Sequence, residues 1–166
     1  MSGYPDVRLR RLRRTPSLRN MFDMPMPGPE KFIWPVFVVA GKRQRQKIDT
    51  MPGQFRYSVD TLLKDLKPVA ASGVGGILIF GLVEDSRKCR HGKAAHDENG
   101  PVQQAVRAVR AEYPDLVVFT DVCLCAYTTH GHCGPLSDSG DVDNDAANEM
   151  LARTAVSHAA AGADGV

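Results

Sequence analysis

The sequence predicts an α/β fold with a parallel sheet, and three observations predict it. Apolar, strand-like segments begin near residues 33, 77, 116 and about 164, a period near 40. The stretches between them carry apolar residues at helical spacing. The run Ile77 to Phe80 is continuously apolar, as in a strand buried on both faces. Such βαβαβα order puts the C-terminal strand ends, and the loops that leave them, on one side. Barrels and doubly wound sheets both keep their chemistry there.

Ile33 to Val39 is a β-branched and aromatic run, and Pro35 near its start suits a strand better than a helix. Residues 40–57 are polar, contain Pro52-Gly53 and read as loop. Ser58 is placed to cap a helix over Val59 to Ala71, whose Val59, Leu62, Leu63, Leu66, Val69 and Ala70 share one face. Pro68 should kink it or tighten its last turn, and Gly73 should stop it. A long polar loop, 82–100, follows the second strand. Pro101 opens a helix from Val102 to Tyr113, and Leu116 to Thr120 forms a third strand. Asn144 or Asp145 would cap a third helix, ended by Gly162, before the entry to a fourth strand at Ala163 to Val166.

The chain has 166 residues, 43% apolar and 24% charged, which fits one globular domain rather than a disordered chain. The longest apolar run, Gly73 to Val83, is too short to span a bilayer. The first 20 residues have no apolar stretch of the secretory kind. A cytoplasmic setting is therefore expected, with an organelle whose targeting peptide has been removed as the alternative. These 20 residues hold six arginines (Arg8, Arg10, Arg11, Arg13, Arg14, Arg19) against Asp6, a charge of +5, on a body of −3. Such an arm can neutralise phosphates, wrap an acidic partner subunit, or remain a solvated tail. No nucleic-acid motif or aromatic interleaving follows it, so neither nucleic acid nor a membrane is expected as a partner.

Three of the four cysteines fall within eleven residues, in Asp121-Val-Cys123-Leu-Cys125-Ala-Tyr-Thr-Thr-His130-Gly-His132-Cys133-Gly134. Cys123 and Cys125 project the same way from extended backbone, and seven residues loop back to Cys133. Three converging thiolates suit a borderline cation, zinc by default, with a fourth position left for water or substrate. Two alternatives are a closed structural site with His130 or His132 as fourth ligand, and three plain buried thiols. Cys89 lies outside the spacing. Each histidine could also serve as acid, base or hydrogen-bond donor to a ligand. Asp121, at the end of the third strand, could orient a metal-bound water or a substrate amine, or simply cap the loop. Asp138, Asp141, Asp143 and Asp145 could attract a hard cation, although turn and cap chemistry is the commoner use.

These residues bring a family into view. D-V-C-L-C-A-Y-T-T-H-G-H-C-G at 121–134, followed by V-D-N-D at 142–145, resembles the zinc-dependent porphobilinogen synthases, or 5-aminolevulinate dehydratases. R-L-R-R-T-P-S-L-R-N-M-F at 11–22, W-P-V-F-V, M-P-G-Q-F-R-Y-S and L-I-F-G match in order and spacing, so the resemblance spans essentially the whole chain. It implies a (β/α)8 TIM barrel, of which this chain would hold about three βα units and the start of a fourth strand. Residues 1–32 would form an arm that embraces a neighbouring subunit in a homo-octamer, and 33–166 the first part of the catalytic domain. It implies a lyase that condenses two 5-aminolevulinate molecules to porphobilinogen, with loss of two waters, in tetrapyrrole and haem synthesis.

Residue by residue, the resemblance makes Cys123, Cys125 and Cys133 the zinc ligands and Asp121 the acidic side chain beside that zinc, a catalytic residue. Phe80 becomes an aromatic at the substrate pocket, and His132 a histidine tied to a second metal position. Magnesium is a further open candidate, with no residue assigned to it. The family also uses two active-site lysines, one forming a Schiff base, and an arginine clamp. None of the seven lysines here (Lys31, Lys42, Lys47, Lys64, Lys67, Lys88, Lys93) matches them. The 166 residues by themselves are therefore expected to be inactive, and a zinc-binding or subunit-interaction fragment is the alternative reading.

Overall fold

The computed structural model describes residues 3–7 and 10–166, so Arg8 of the basic arm lies outside the described residues. The sheet is built on three parallel strands, β1 (Ile33–Val38), β4 (Gly76–Gly81) and β5 (Val117–Thr120). Their register sets Phe37 opposite Phe80 and Leu78 opposite Phe119. Each is followed by its helix: α2 (Val59–Ala71) after β1, α3 (Pro101–Glu112) after β4, and α4 (Asn144–Ala161) after β5. Beyond α4, Gly162 turns the chain at φ +107°. Asp164 then donates to the Val118 carbonyl and Thr120 to that of Gly165, so the expected fourth strand begins beside β5. This is the order of elements with which a (β/α)8 barrel begins.

The two sheet faces differ, as strand alternation requires. Val36, Val38, Ile77, Ile79 and Val118 are fully buried against Leu62 and Leu66 of α2 and Val102, Ala105, Val106 and Val109 of α3. The opposite face, which a barrel turns inward, carries Phe37, Phe80 and Phe119. Phe37 and Phe80 stack there, with ring centroids 5.3 Å apart.

Residues 40–57 correct the loop reading. They contain β2 (Arg45–Lys47) and β3 (Phe55–Tyr57), an antiparallel ribbon joined at Gly53, with β3 running parallel to β1. Three polar residues in β2 give no alternation to detect, and Pro52-Gly53 is the turn of the ribbon rather than the centre of a loop. The ribbon is pinned by Arg45, whose guanidinium lies 3.5 Å over the Phe55 ring and 2.8 Å from Asp65.

Ser58 precedes α2 as expected, but its hydroxyl accepts from Gln44 N–H and donates to Asp60 instead of capping the helix. The helix runs through Pro68. At α4 the cap is Asp143, not Asn144 or Asp145: its carboxylate accepts from Ala146 N–H at 3.1 Å. The 82–100 loop contains two 3-10 turns, Asp85–Arg87 and Lys93–His96.

Ahead of β1 the chain forms a 3-10 turn at Arg11–Arg13, the short helix α1 (Pro16–Met21) capped by Thr15, and a turn at Pro29–Lys31. Leu12, Met21, Phe22, Met24 and Met26 are exposed along it. Among the described residues no helix is long and apolar enough to cross a membrane.

Candidate metal centre

β5 ends at Thr120, and the ladder continues by one bond, from Asp121 N–H to the Ile79 carbonyl. That bond sets Asp121 beside Phe80, on the barrel side of the sheet. The chain then leaves the sheet and turns at Leu124, whose carbonyl accepts from both Tyr127 and Thr128 N–H. Leu124 and Tyr127 are buried, and they root the loop in a small cluster with Ala94, Ala95, Met150 and Leu151. The Thr128 hydroxyl donates to the His132 carbonyl and returns the chain toward Cys133. Gly131, at φ +76°, permits that return.

The outcome is a convergence of three thiols. Cys123 Sγ lies 3.4 Å from the sulfurs of both Cys125 and Cys133. All three fall within 4.8 Å of one another, and among the described residues they are the one such group of potential metal ligands. Sulfurs bound at about 2.3 Å to a tetrahedral ion sit roughly 3.8 Å apart, so the cluster needs little adjustment to hold one. Cys123 is half-buried, while Cys125 and Cys133 face solvent, which leaves the fourth side of a tetrahedron accessible.

The electrostatics of the free thiols follow from this crowding. Burial pushes the Cys125 thiol up to about 11, and Cys123 and Cys133 add to the rise. Cys133 is raised as well, first by its hydrogen bond with Cys123. Burial raises the Asp121 carboxyl, and Asp121 in turn acts on Cys133. Tyr127 is raised far above its ordinary value by burial, with Asp121, Cys123 and Cys125 contributing. Sequence reasoning did not single out Tyr127; an aromatic between two cysteines of a ligand loop was the available signal.

The remaining candidates separate. His130 and His132 stand outside the thiol group, with ring centroids 5.6 Å apart. His130 Nδ1 accepts from His132 N–H and its Nε2 meets the Arg90 carbonyl. A closed site with a histidine fourth ligand is not formed. Cys89 is also separate: burial would raise its thiol, but the N–H groups of Lys93, His91 and Gly92 outweigh that and lower it. Asp141 and Asp143 serve the turn and cap before α4, and the four aspartates do not converge. Cys89 N–H donates to the Tyr127 carbonyl, so the 82–100 loop is fastened to the thiol loop.

Known proteins resemble this chain along nearly all of its length. Residues 6–166 match the family model described as delta-aminolevulinic acid dehydratase. The delta-aminolevulinic acid dehydratase of Methanothermobacter thermautotrophicus is 47% identical over 163 residues, covering 97% of this chain and 49% of its own. That of Archaeoglobus fulgidus is 42% identical, with 99% and 50% covered. A crystal structure of the Toxoplasma gondii enzyme (porphobilinogen synthase) with its reaction product porphobilinogen superposes with TM-score 0.87 at 30% identity, covering 95% of this chain and 45% of that one. The chain spans about half the length of these relatives. By its sequence over nearly its whole length and by its fold, the chain belongs to the delta-aminolevulinic acid dehydratase family.

Proposed function

We propose that this chain supplies the metal-bearing side of a porphobilinogen synthase active site, in which two 5-aminolevulinate molecules condense to porphobilinogen with loss of two waters. The observation that carries this reading is the three-thiol cluster beside Asp121 and Phe80 at the C-terminal strand ends, in a member of this family. Cys123, Cys125 and Cys133 would hold zinc. Bound there, zinc acts as a Lewis acid on a substrate carbonyl or amine.

The chain's own residues would divide the rest. Asp121, with its carboxyl raised by burial, accepts or returns a proton at its oxygens next to the metal. The Phe37–Phe80 stack offers an apolar wall against which the substrate's methylene groups can lie. Tyr127 and Leu124 keep the thiol loop seated. His132, exposed beside His130, is the reading for a second metal position, and magnesium is a separate candidate cation with no residue assigned to it. The exposed Leu12, Met21, Phe22 and Met24 of the arm suit contact with a second copy of the chain, in a homo-octamer.

None of the seven lysines lies on β1, β4 or β5, and none matches the Schiff-base lysine that this reading requires. The same observation favours the second reading, a zinc-binding or subunit-interaction piece that is not itself catalytic. Intact-mass measurement of the native protein, after borohydride reduction with 5-aminolevulinate, separates the two. A reduced adduct on a chain well above 18.1 kDa supports the enzyme. An unmodified 18.1 kDa chain overturns it in favour of the second reading.

A further inference from the structure

Behind the thiol site, on the helix side of the sheet, sits a histidine to which nothing so far gives a role. His158 is fully buried on α4. Its Nδ1 lies 3.0 Å from the hydroxyl of Thr120, itself 2% exposed. Its Nε2 is buried and, among the described residues, makes no hydrogen bond of good geometry, although the Ala95 carbonyl acts on the ring. Burial keeps the ring neutral, pushing its pKa down to about 4 against the opposing Ala95 carbonyl. Two polar side chains, His158 and Thr120, are buried here, where an apolar pair would leave no polar atom to match. A position that breaks the packing rule in this way points to a use other than stability.

The surroundings show what the ring touches. Thr120 is the last residue of β5, and Asp121 follows it directly. The Ala95 carbonyl, in the 3-10 turn Lys93–His96, also accepts from Gln103 Nε2, which donates to Ser157 Oγ as well. α3, α4 and the 82–100 loop are therefore tied together around His158. That loop is fastened to the thiol loop through Cys89 and Tyr127. The strand end that launches the thiol loop is thus held on its far side by one imidazole–hydroxyl contact.

We propose that His158 is a positioning residue for the thiol site: through the Thr120 hydroxyl it fixes the strand end from which Asp121 and Cys123 project. This rests on the reading of the three thiols as a metal site.

Cobalt(II), added anaerobically to the 166-residue chain, is the probe, because thiolate ligation gives charge-transfer and d–d bands that report ligand geometry. The variants are Thr120→Val, which keeps shape and removes the hydroxyl, His158→Leu, and the conservative Thr120→Ser. Melting of the metal-free chains is followed in parallel. Thr120→Val and His158→Leu should shift the d–d bands and weaken cobalt binding by about tenfold, the lower end for residues that support metal ligands. Thr120→Ser should behave as the parent. The double variant Thr120→Val/His158→Leu should be no worse than either single one, since both remove one contact. Parent-like spectra and affinity in Thr120→Val and His158→Leu, with only the melting altered, would overturn the positioning role while leaving the metal site intact. Absence of thiolate bands in the parent chain would overturn the metal site, and the positioning role with it.

Discussion

The hydroxyl of Tyr127 occupies the space where a side chain on Gly81 would begin: a Cβ at Gly81 would collide with that oxygen and with Val102 Cγ2. Gly81 closes β4, and Tyr127 anchors the thiol loop. Strand end and loop thus fit through a missing methyl group. Gly81→Ala should destabilise the chain by about 1–3 kcal/mol through overpacking. It should also weaken metal binding, because Tyr127 must move and the loop with it. Denaturant unfolding and a metal titration of the same variant check both parts. Unchanged metal affinity in a clearly destabilised variant would show that the loop does not depend on this fit.

The ligand assignment separates the cysteines. Cys125→Ala should lower zinc affinity by roughly 100-fold or more, beyond the range for residues that only support ligands. Cys89→Ala should leave it within about twofold, because Cys89 lies outside the thiol group. Competition with a chromophoric chelator measures both. Equal losses would refute the set Cys123, Cys125 and Cys133.

Raised thiols fix the sign of the pH dependence. Cys125, near 11, and Cys133, also raised, are protonated in the metal-free chain at neutral pH. A metal binds thiolates, so it must displace those protons. Zinc affinity should climb as pH rises from 6 to 8, and each zinc should release about two or more protons. Titration in dilute buffer with a pH indicator counts them. Release of fewer than one would mean that the sulfurs are not the ligands.

His158 gives a stability effect of its own. Its pKa, near 4 when folded, lies below the ordinary value of 6.5. Between those values the unfolded chain binds the extra proton and the folded chain does not. Stability is therefore full above about pH 6.5 and falls as pH drops toward 4, by at most about 1.4 kcal/mol per pH unit. His158→Gln should flatten that part of the profile, as read from denaturant midpoints at pH 5 and pH 7. An unchanged slope would place the titration elsewhere.

The cap of α4 offers a simpler check. Asp143→Ala removes the carboxylate that accepts from Ala146 N–H and should cost about 1 kcal/mol. Asn144→Ala should cost less, since its side chain reaches only Asp145. Equilibrium unfolding of the pair decides between them.

The sequence made α2 and α3 legible because burial on one face imposes a period that local spacing records. Leu62 and Leu66, and Val102, Val106 and Val109, lie on those buried faces. β2 escaped notice because three exposed polar residues carry no such record; its partner across the ribbon, not its composition, makes it a strand. The thiols were readable for a similar reason to the helices, since all three sit in one short segment. His158 was not, because its meaning lies in a contact with Thr120, 38 residues away. Nor did Tyr127 declare itself, since its counterpart is the absent side chain of Gly81.

The span of the sulfur set bears on how the protein comes to be made. Cys123 and Cys133 enclose a loop of about ten residues, a closure cheap in chain entropy. A soft ion could therefore be gripped by this segment alone, soon after it emerges during synthesis. Seating is a different matter, because the contacts of Tyr127 with Cys89 and Gly81 require two further stretches of chain already folded against each other. Capture is a local event and docking a long-range one, so metal present while the chain folds can be held before the loop docks, whereas metal added to the finished fold meets a loop already seated.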